Sequence, residues 1–229
     1  MSEAPRKATS GQFASGQSAP RRTRIKDEKE SRILEAALDI FSSHGYRGAT
    51  LDRIADAAHL SKPNLLYYFR NKEAIHRALI AHVLSGWLEP LRALHADGDP
   101  ETEIRSYIRR KLLMSRDFPR ESRLFANEIL QGAPHIEQEL KGPLRELVDE
   151  KAAVIRGWAE AGKIARCDPY HLIFALWATT QHYADFDVQV RAVLGEPAAT
   201  DRRFEDAADF LEQLFTRGIL RTDTAAGKN

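Results

Sequence analysis

The stretch Thr50–Lys72, TLDRIADAAHLSKPNLLYYFRNK, holds two short helical patterns joined by too few residues for the second to fold back beside the first. That arrangement suits a helix-turn-helix. Thr50 is placed to cap the first helix, whose inward stripe is Leu51, Ile54, Ala55 and Ala58 at i, i+3, i+4, i+7 spacing. The stripe is small and apolar, so a second helix can cross close above it. After a turn at His59 and Leu60, Ser61 caps the second helix. Pro63 stands in its first turn, where no intrahelical N–H is missed. Leu65 and Phe69, four apart, point back to the first helix.

With those two side chains inward, a rotation of about 100° per residue puts Pro63, Asn64 and Tyr67 on the opposite side, flanked by Lys62, Leu66 and Tyr68. Such a face suits the DNA major groove, where Asn pairs with adenine, Lys with guanine, and apolar atoms touch thymine methyls. Lys72 and the Tyr68 hydroxyl fall at the helix end, suited to phosphates, which position a protein without reading sequence. The competing reading packs Tyr67 and Tyr68 inside a small helical domain.

The segment Lys29–Leu79, with LDIFSSHGYRGATLDRIADAAHLSKPNLLYYFRNKEAI, resembles the DNA-binding domain of the TetR family of one-component transcriptional repressors. In that family a Tyr-aromatic pair usually follows the recognition-helix Leu. Here Leu66 and Tyr67 take those two places, and Tyr68 stands where His is common. By position the resemblance implies base contacts from Lys62, Asn64 and Leu66, with phosphate contacts from Thr50, Tyr67, Tyr68 and Lys72.

Charge agrees with this polarity. The whole chain of 229 residues carries a net +1, but residues 1–72 hold 13 Lys and Arg against 8 Asp and Glu, so the remainder carries −4. The basic excess lies at the DNA-reading end. A hydrophobic content of 43% is ample for a packed core. No apolar run approaches the roughly 20 residues that span a bilayer, and the N-terminus lacks a signal-peptide core, so the expected location is the cytoplasm, with no membrane partner. The single cysteine, Cys167, reads as a small buried or half-buried hydrophobe.

Residues 1–24, rich in Ser, Gly, Ala, Pro and Arg, read as a disordered basic arm whose Arg21, Arg22, Arg24 and the following Lys26 are able to reach phosphates. Residues 25–71 form the helix-turn-helix domain. Its first helix runs from Lys26 to Ser43 on Ile33, Ala36, Ala37, Ile40 and Phe41, with Gly45 and Gly48 at its exit. A long fourth helix is expected from Asn71 to about Ala96. Further helical patterns cover Glu101 to Asp117, Pro119 to Leu130, Pro143 to Gly162, Pro169 to about Leu194 and Asp201 to Gly218. No segment alternates as strands do. The expected fold is all-α, an N-terminal three-helix reading domain and a helical ligand-binding and dimerisation domain over residues 72–220, with a frayed tail at 221–229.

HLIFALWATTQHYADFDVQV, from His171 to Val190, is apolar nearly all round its first turns, which fits a helix shared between a core and a second subunit. Ser122–Pro134, Val148–Ile164 and Asp168–Phe186 resemble a pyrimidine-utilisation repressor of the TetR family more closely than a generic member. That likeness implies a homodimer on a near-palindromic operator, released by uracil or thymine. A pyrimidine dione presents two N–H donors and two carbonyls. Gln181 supplies both complementary functions, and Trp177, one turn before it, a flat wall. Thr180, Asn127, Glu128 and Trp87 are secondary candidates, although the tryptophans suit a core equally well. His182 and Asp185, at i, i+3, read as a hydrogen-bonded pair near the dimer seam, and no metal or cofactor is expected. Two rivals stand beside this reading. One is an enzyme with its site at Gln181 to Asp185, for which no phosphate loop, nucleophile elbow or metal-ligand spacing speaks. The other is a regulator of the same family answering an acyl thioester, a drug or an amino acid.

Overall fold

The computed structural model describes residues 21–195 and 202–219, with side chains from residue 26 onward. Residues 1–20 of the expected arm, and the whole tail, lie outside the described residues. Every element within them is helical: α1 (Arg21–Gly48), α2 (Leu51–Ala57), α3 (Lys62–Tyr68), α4 (Lys72–Trp87), α5 (Glu89–Arg92), α6 (Pro100–Asp117), α7 (Pro119–Leu130), α8 (Glu137–Glu139), a π-helical turn (Leu140–Leu144), α9 (Arg145–Glu160), α10 (Pro169–Asp185), α11 (Asp187–Leu194) and α12 (Arg202–Ile219).

Helix boundaries depart from expectation where local chemistry intervenes. Helix α1 starts at Arg21, so its basic cluster is helical and not part of a coil. Near its other end Gly45 takes φ 66°, which kinks α1 three residues before its end. The expected long helix to Ala96 stops at Trp87. Pro90 has no N–H to offer the Gly86 carbonyl one turn back, and the chain restarts as the four-residue α5. Likewise the helix from Pro169 divides at Phe186 (φ −113°, ψ 27°) into α10 and α11. The segment before α9 is already helical from Glu137, upstream of the expected start at Pro143.

Two apolar cores result. One joins Leu91, Ile104, Ile108 and Leu112 to Ile155, Trp158, Ile173, Leu176, Leu211 and Phe215, where α6, α9, α10 and α12 meet. The other encloses Ile33, Phe41, Ile54 and Leu65 of α1–α3 with Ile75, Leu79, Ile80 and Val83 of α4. Leu124 of α7, with Ala133 and Ile136 beyond it, completes this second core. Packing around the reading helices therefore continues past residue 71 into α4 and α7.

The large apolar side chains left exposed beyond α7 fall on α10, α11 and α12: Phe174, Phe186, Val188, Val193, Leu194, Phe210 and Leu214. Cys167 is exposed, not buried, because it sits in the polar link between α9 and α10. No described helix is long and apolar enough to cross a membrane.

Candidate functional site

The reading helix is built by its caps. The Thr50 hydroxyl accepts from the Arg53 N–H at 3.2 Å to start α2, and the Ser61 hydroxyl accepts from the Asn64 N–H at 3.4 Å to start α3. Between them His59 takes φ 54°, which lets the Leu60 N–H reach the Ala55 carbonyl at 2.9 Å and turns the chain sharply. Leu65 is then fully buried against α2, with Phe69 half-buried beneath it.

The opposite side of α3 is open. Lys62, Pro63, Asn64 and Leu66 are exposed, Tyr67 is 78% exposed, and Tyr68 is half-buried with its ring 5.1 Å from that of Tyr67. Within the chain, then, Tyr67 is not tucked under another element, while Tyr68 packs in part against the core beneath α3. Lys62 reaches Asp52 of α2 at 3.0 Å, an exposed contact that a phosphate or base can outcompete. Lys72 is differently placed. Its ammonium donates to the carbonyls of Tyr46 (2.7 Å) and Ala49 (2.9 Å) and lies 4.3 Å from the Tyr46 ring centroid, tying the start of α4 to the exit of α1.

The effector-side candidates divide into three places. Trp177 donates its indole N–H to the Tyr107 hydroxyl at 2.7 Å, and burial lifts that phenol well above its ordinary pKa. Thr180 is fully buried. Its hydroxyl donates to the Leu176 carbonyl at 2.7 Å, and its own carbonyl accepts from Ser115 at 3.0 Å. Gln181 beside it is half-buried. Trp87 is buried with no partner for its indole N–H, and the Lys111 ammonium stands 4.4 Å from its ring centroid. One wall of Trp87 also borders a cavity of about 500 Å³ between α1, α4, α6 and α7, with Leu38, Leu79, Val83, Met114 and Phe118. The lining of that cavity does not include Trp177, Thr180 or Gln181. Asn127 is exposed, and Glu128 is engaged elsewhere: it accepts from the His135 backbone N–H at 2.7 Å.

Three features at this site were not expected from the sequence. Lys111 is buried at 1% exposure, and desolvation pushes its ammonium down to about 7 against the pull of Asp185. Its helical register with Ile104, Tyr107, Ile108, Leu112 and Ser115 was the available signal, hidden inside the charged run RRK. Asp185 accepts a short hydrogen bond from Ser122 of α7, and burial raises its pKa. The expected His182–Asp185 pair is thereby corrected: the carboxylate turns inward to Ser122, while His182 is exposed and stacks on Phe186 at 4.9 Å. The third feature is a buried contact between Glu128 and two histidines, His76 and His135.

Residues 33–79 match the model of bacterial regulatory proteins of the tetR family, and residues 80–222 match that of the C-terminal region of YcdC-like proteins. The chain belongs to the TetR family. It is 47% identical over 199 residues to the HTH-type transcriptional regulator RutR of Escherichia coli K12, covering 87% of this chain and 94% of that one. Among solved structures, a TetR-like regulator from Rhodococcus sp. RHA1 superposes with a TM-score of 0.62 at 24% identity over 83% of this chain and 94% of that one. AibR, solved with isovaleryl coenzyme A and operator DNA, gives a TM-score of 0.67 at 19% identity over 81% and 97%. This TetR-family chain is accordingly a DNA-binding transcriptional regulator of all-α fold, and not an enzyme.

Proposed function

We propose that the protein is a cytoplasmic repressor that binds a near-palindromic operator as a homodimer and is released by a pyrimidine dione such as uracil. The observation that carries the DNA half is the outer face of α3, where Lys62, Pro63, Asn64, Leu66 and Tyr67 stand in solvent around the one inward Leu65. Lys62, Asn64 and Leu66 read base edges, while Thr50, Tyr67 and Tyr68 hold phosphates. Lys72, with its ammonium on two backbone carbonyls, contributes to DNA binding by holding α4 against α1 and by its charge. A single helix reads only a few base pairs. Two copies about 34–36 Å apart supply the rest, in successive major grooves. Exposed Phe174 on α10 and Phe210 and Leu214 on α12 support a seam made by those two helices. Among the described residues no large apolar side chain of α9 is exposed, so α9 adds nothing comparable to that seam.

For the effector, the 47% identity to RutR and the buried polar groups between α6, α7 and α10 support the pyrimidine reading. The Gln181 carboxamide offers a donor and an acceptor to a planar dione, with Trp177 and Thr180 beside it on α10, while the unpartnered Trp87 N–H borders a separate cavity. Glu128 and Asn127, drawn away from this region, drop to second rank. The effector must bind the released arrangement of the two reading heads more tightly than the DNA-bound one.

Selection of bound duplexes from a random pool by the purified protein, with and without uracil, tests both halves. Enrichment of a two-fold repeat that uracil abolishes is the expected result. No enriched duplex sinks the DNA reading, and an enriched repeat indifferent to uracil sinks the effector reading alone. Gln181→Ala should retain the repeat and lose the response.

A further inference from the structure

His76 lies about one turn into α4, eight residues after the end of α3, and Glu128 and His135 come from α7 and the turn that follows it. His76 is 52 residues from Glu128 in sequence, so no ligand spacing announces the trio, yet one ligand atom from each lies within 4.8 Å of the other two. Glu128 Oε2 is 3.1 Å from His135 Nδ1 and 3.9 Å from His76 Nε2. Ligand atoms around a tetrahedral zinc stand about 3.3 Å apart, given bonds of about 2.0–2.1 Å. One of these separations already meets that value, and rotation of the His76 ring closes much of the other. His76 is 2% exposed, its Nδ1 has no hydrogen-bond partner, and its Nε2 is too far from Glu128 for a hydrogen bond. A buried imidazole facing a carboxylate with neither nitrogen bonded to it is poorly explained by hydrogen bonding alone.

We propose that His76, Glu128 and His135 form a binding site for a divalent ion of the zinc class, pinning α4, the helix that follows the reading helix, to α7. Two imidazole nitrogens and one carboxylate suit such a borderline ion better than magnesium or calcium, which prefer oxygen. A fourth, solvent ligand is supplied from the open cleft lined by His44, Gly45, Tyr46, Arg47, Gln131, Pro134 and His135. Burial holds His76 in the neutral form that ligates, pushing its pKa down to about 4. His135 ligates through Nδ1 by carrying its ring proton on Nε2. The Lys72 ammonium, which opposes a nearby cation, points its N–H groups at the Tyr46 and Ala49 carbonyls and packs over the Tyr46 ring. Because α4 begins where α3 ends, an ion bridging α4 to α7 fixes the angle at which the reading head leaves the body of the protein.

The test is a titration of the full-length, EDTA-treated protein with Co²⁺ and Zn²⁺. The expected result is one Co²⁺ per protomer with the visible absorption of a four- or five-coordinate ion, its displacement by Zn²⁺, and a rise in melting temperature with metal. Two variants carry the assignment: His135→Ala, at the half-buried rim, and His76→Phe, which keeps an aromatic ring between Phe41 and Tyr46. Each should lose stoichiometric binding while its metal-free circular dichroism and melting temperature stay near those of the parent. Absence of saturable binding by the parent protein overturns the proposal and leaves a hydrogen-bonded cluster. Unchanged binding in either variant places the ion elsewhere and overturns it equally.

Discussion

On α3 most polar and aromatic groups face outward with few side-chain partners, whereas on α6, α7 and α10 buried polar groups face inward and contact other elements. Tyr67 is 78% exposed, and among the described residues Lys62 of that face forms an ion pair with Asp52 of α2. Lys111, Ser122, Thr180 and Glu128 are all buried, each paired with, or packed against, a residue distant in the chain. An outward face can be substituted at little cost to the fold. An inward one cannot, and its ligand selectivity is bound up with stability.

The sharpest way to break that contrast is at the one side chain of α3 that faces in. Leu65→Ala removes a fully buried leucine from a seven-residue helix and should destabilise the protein by about 2–5 kcal/mol in denaturant unfolding. A loss below about 1 kcal/mol would mean that α3 is held by its caps and not by its core contact.

Lys111 sharpens the other side. Its folded-state pKa, about 7, lies below its unfolded value near 10.5, so between those pH values the unfolded chain binds more protons than the folded one. Stability from this group therefore rises as pH climbs from about 7 to 10.5, by up to about 1.4 kcal/mol per pH unit, and is flat below 7 where both states are protonated. Lys111→Met should remove that rise in a series of denaturant midpoints. An identical slope in the variant would place the ammonium in a wetter setting than between Trp87 and Asp185.

The same contrast explains what could be read from the sequence. The reading domain is local: Thr50, Ser61, Pro63 and Leu65 act on neighbours within four residues, so spacing alone located both helices, their caps and the outward face. The all-α class and most helices were legible for the same reason. Helix ends at Trp87 and Asp185 were not, since an apolar pattern continues through Pro90 and Phe186 although the backbone does not. Least legible was the effector half. The pairing of Asp185 with Ser122, rather than with His182 one turn away, depends on α7 crossing α10, and Glu128 meets His76 only because α4 and α7 share a core. Helical periodicity says that a residue is buried and is silent on what it meets there.

Between these extremes lies the specificity of α3. Asn64→Ala, at an exposed position whose backbone N–H alone serves the Ser61 cap, should cost about 1–3 kcal/mol of operator affinity and relax preference at one base position. Its stability should shift by no more than about 0.5 kcal/mol. Comparing the variant on the selected operator and on a set of single-base substitutions measures both. Equal losses on every sequence would recast Asn64 as a phosphate contact.

The smallest expected effect is the most diagnostic of how the outer face is held. Lys62 is engaged with Asp52 at 3.0 Å in an exposed pair whose net worth to stability is about 0–1 kcal/mol. If DNA takes the ammonium from Asp52 for a base edge, Lys62→Ala weakens binding selectively, and the dependence of log K on log salt keeps nearly its parental slope. If the ammonium instead goes to a phosphate, one fewer counterion is released and the slope falls by about 1 for every sequence tested. Asp52→Ala supplies the converse: freeing Lys62 from its intramolecular partner removes a competing carboxylate and a repulsive charge beside the DNA, so affinity should rise severalfold at low salt and converge with the parent as salt screens both. An affinity that falls on Asp52→Ala would show that the carboxylate aims Lys62 rather than competes for it, making even the open side of α3 a preorganised surface like the buried cluster around Lys111.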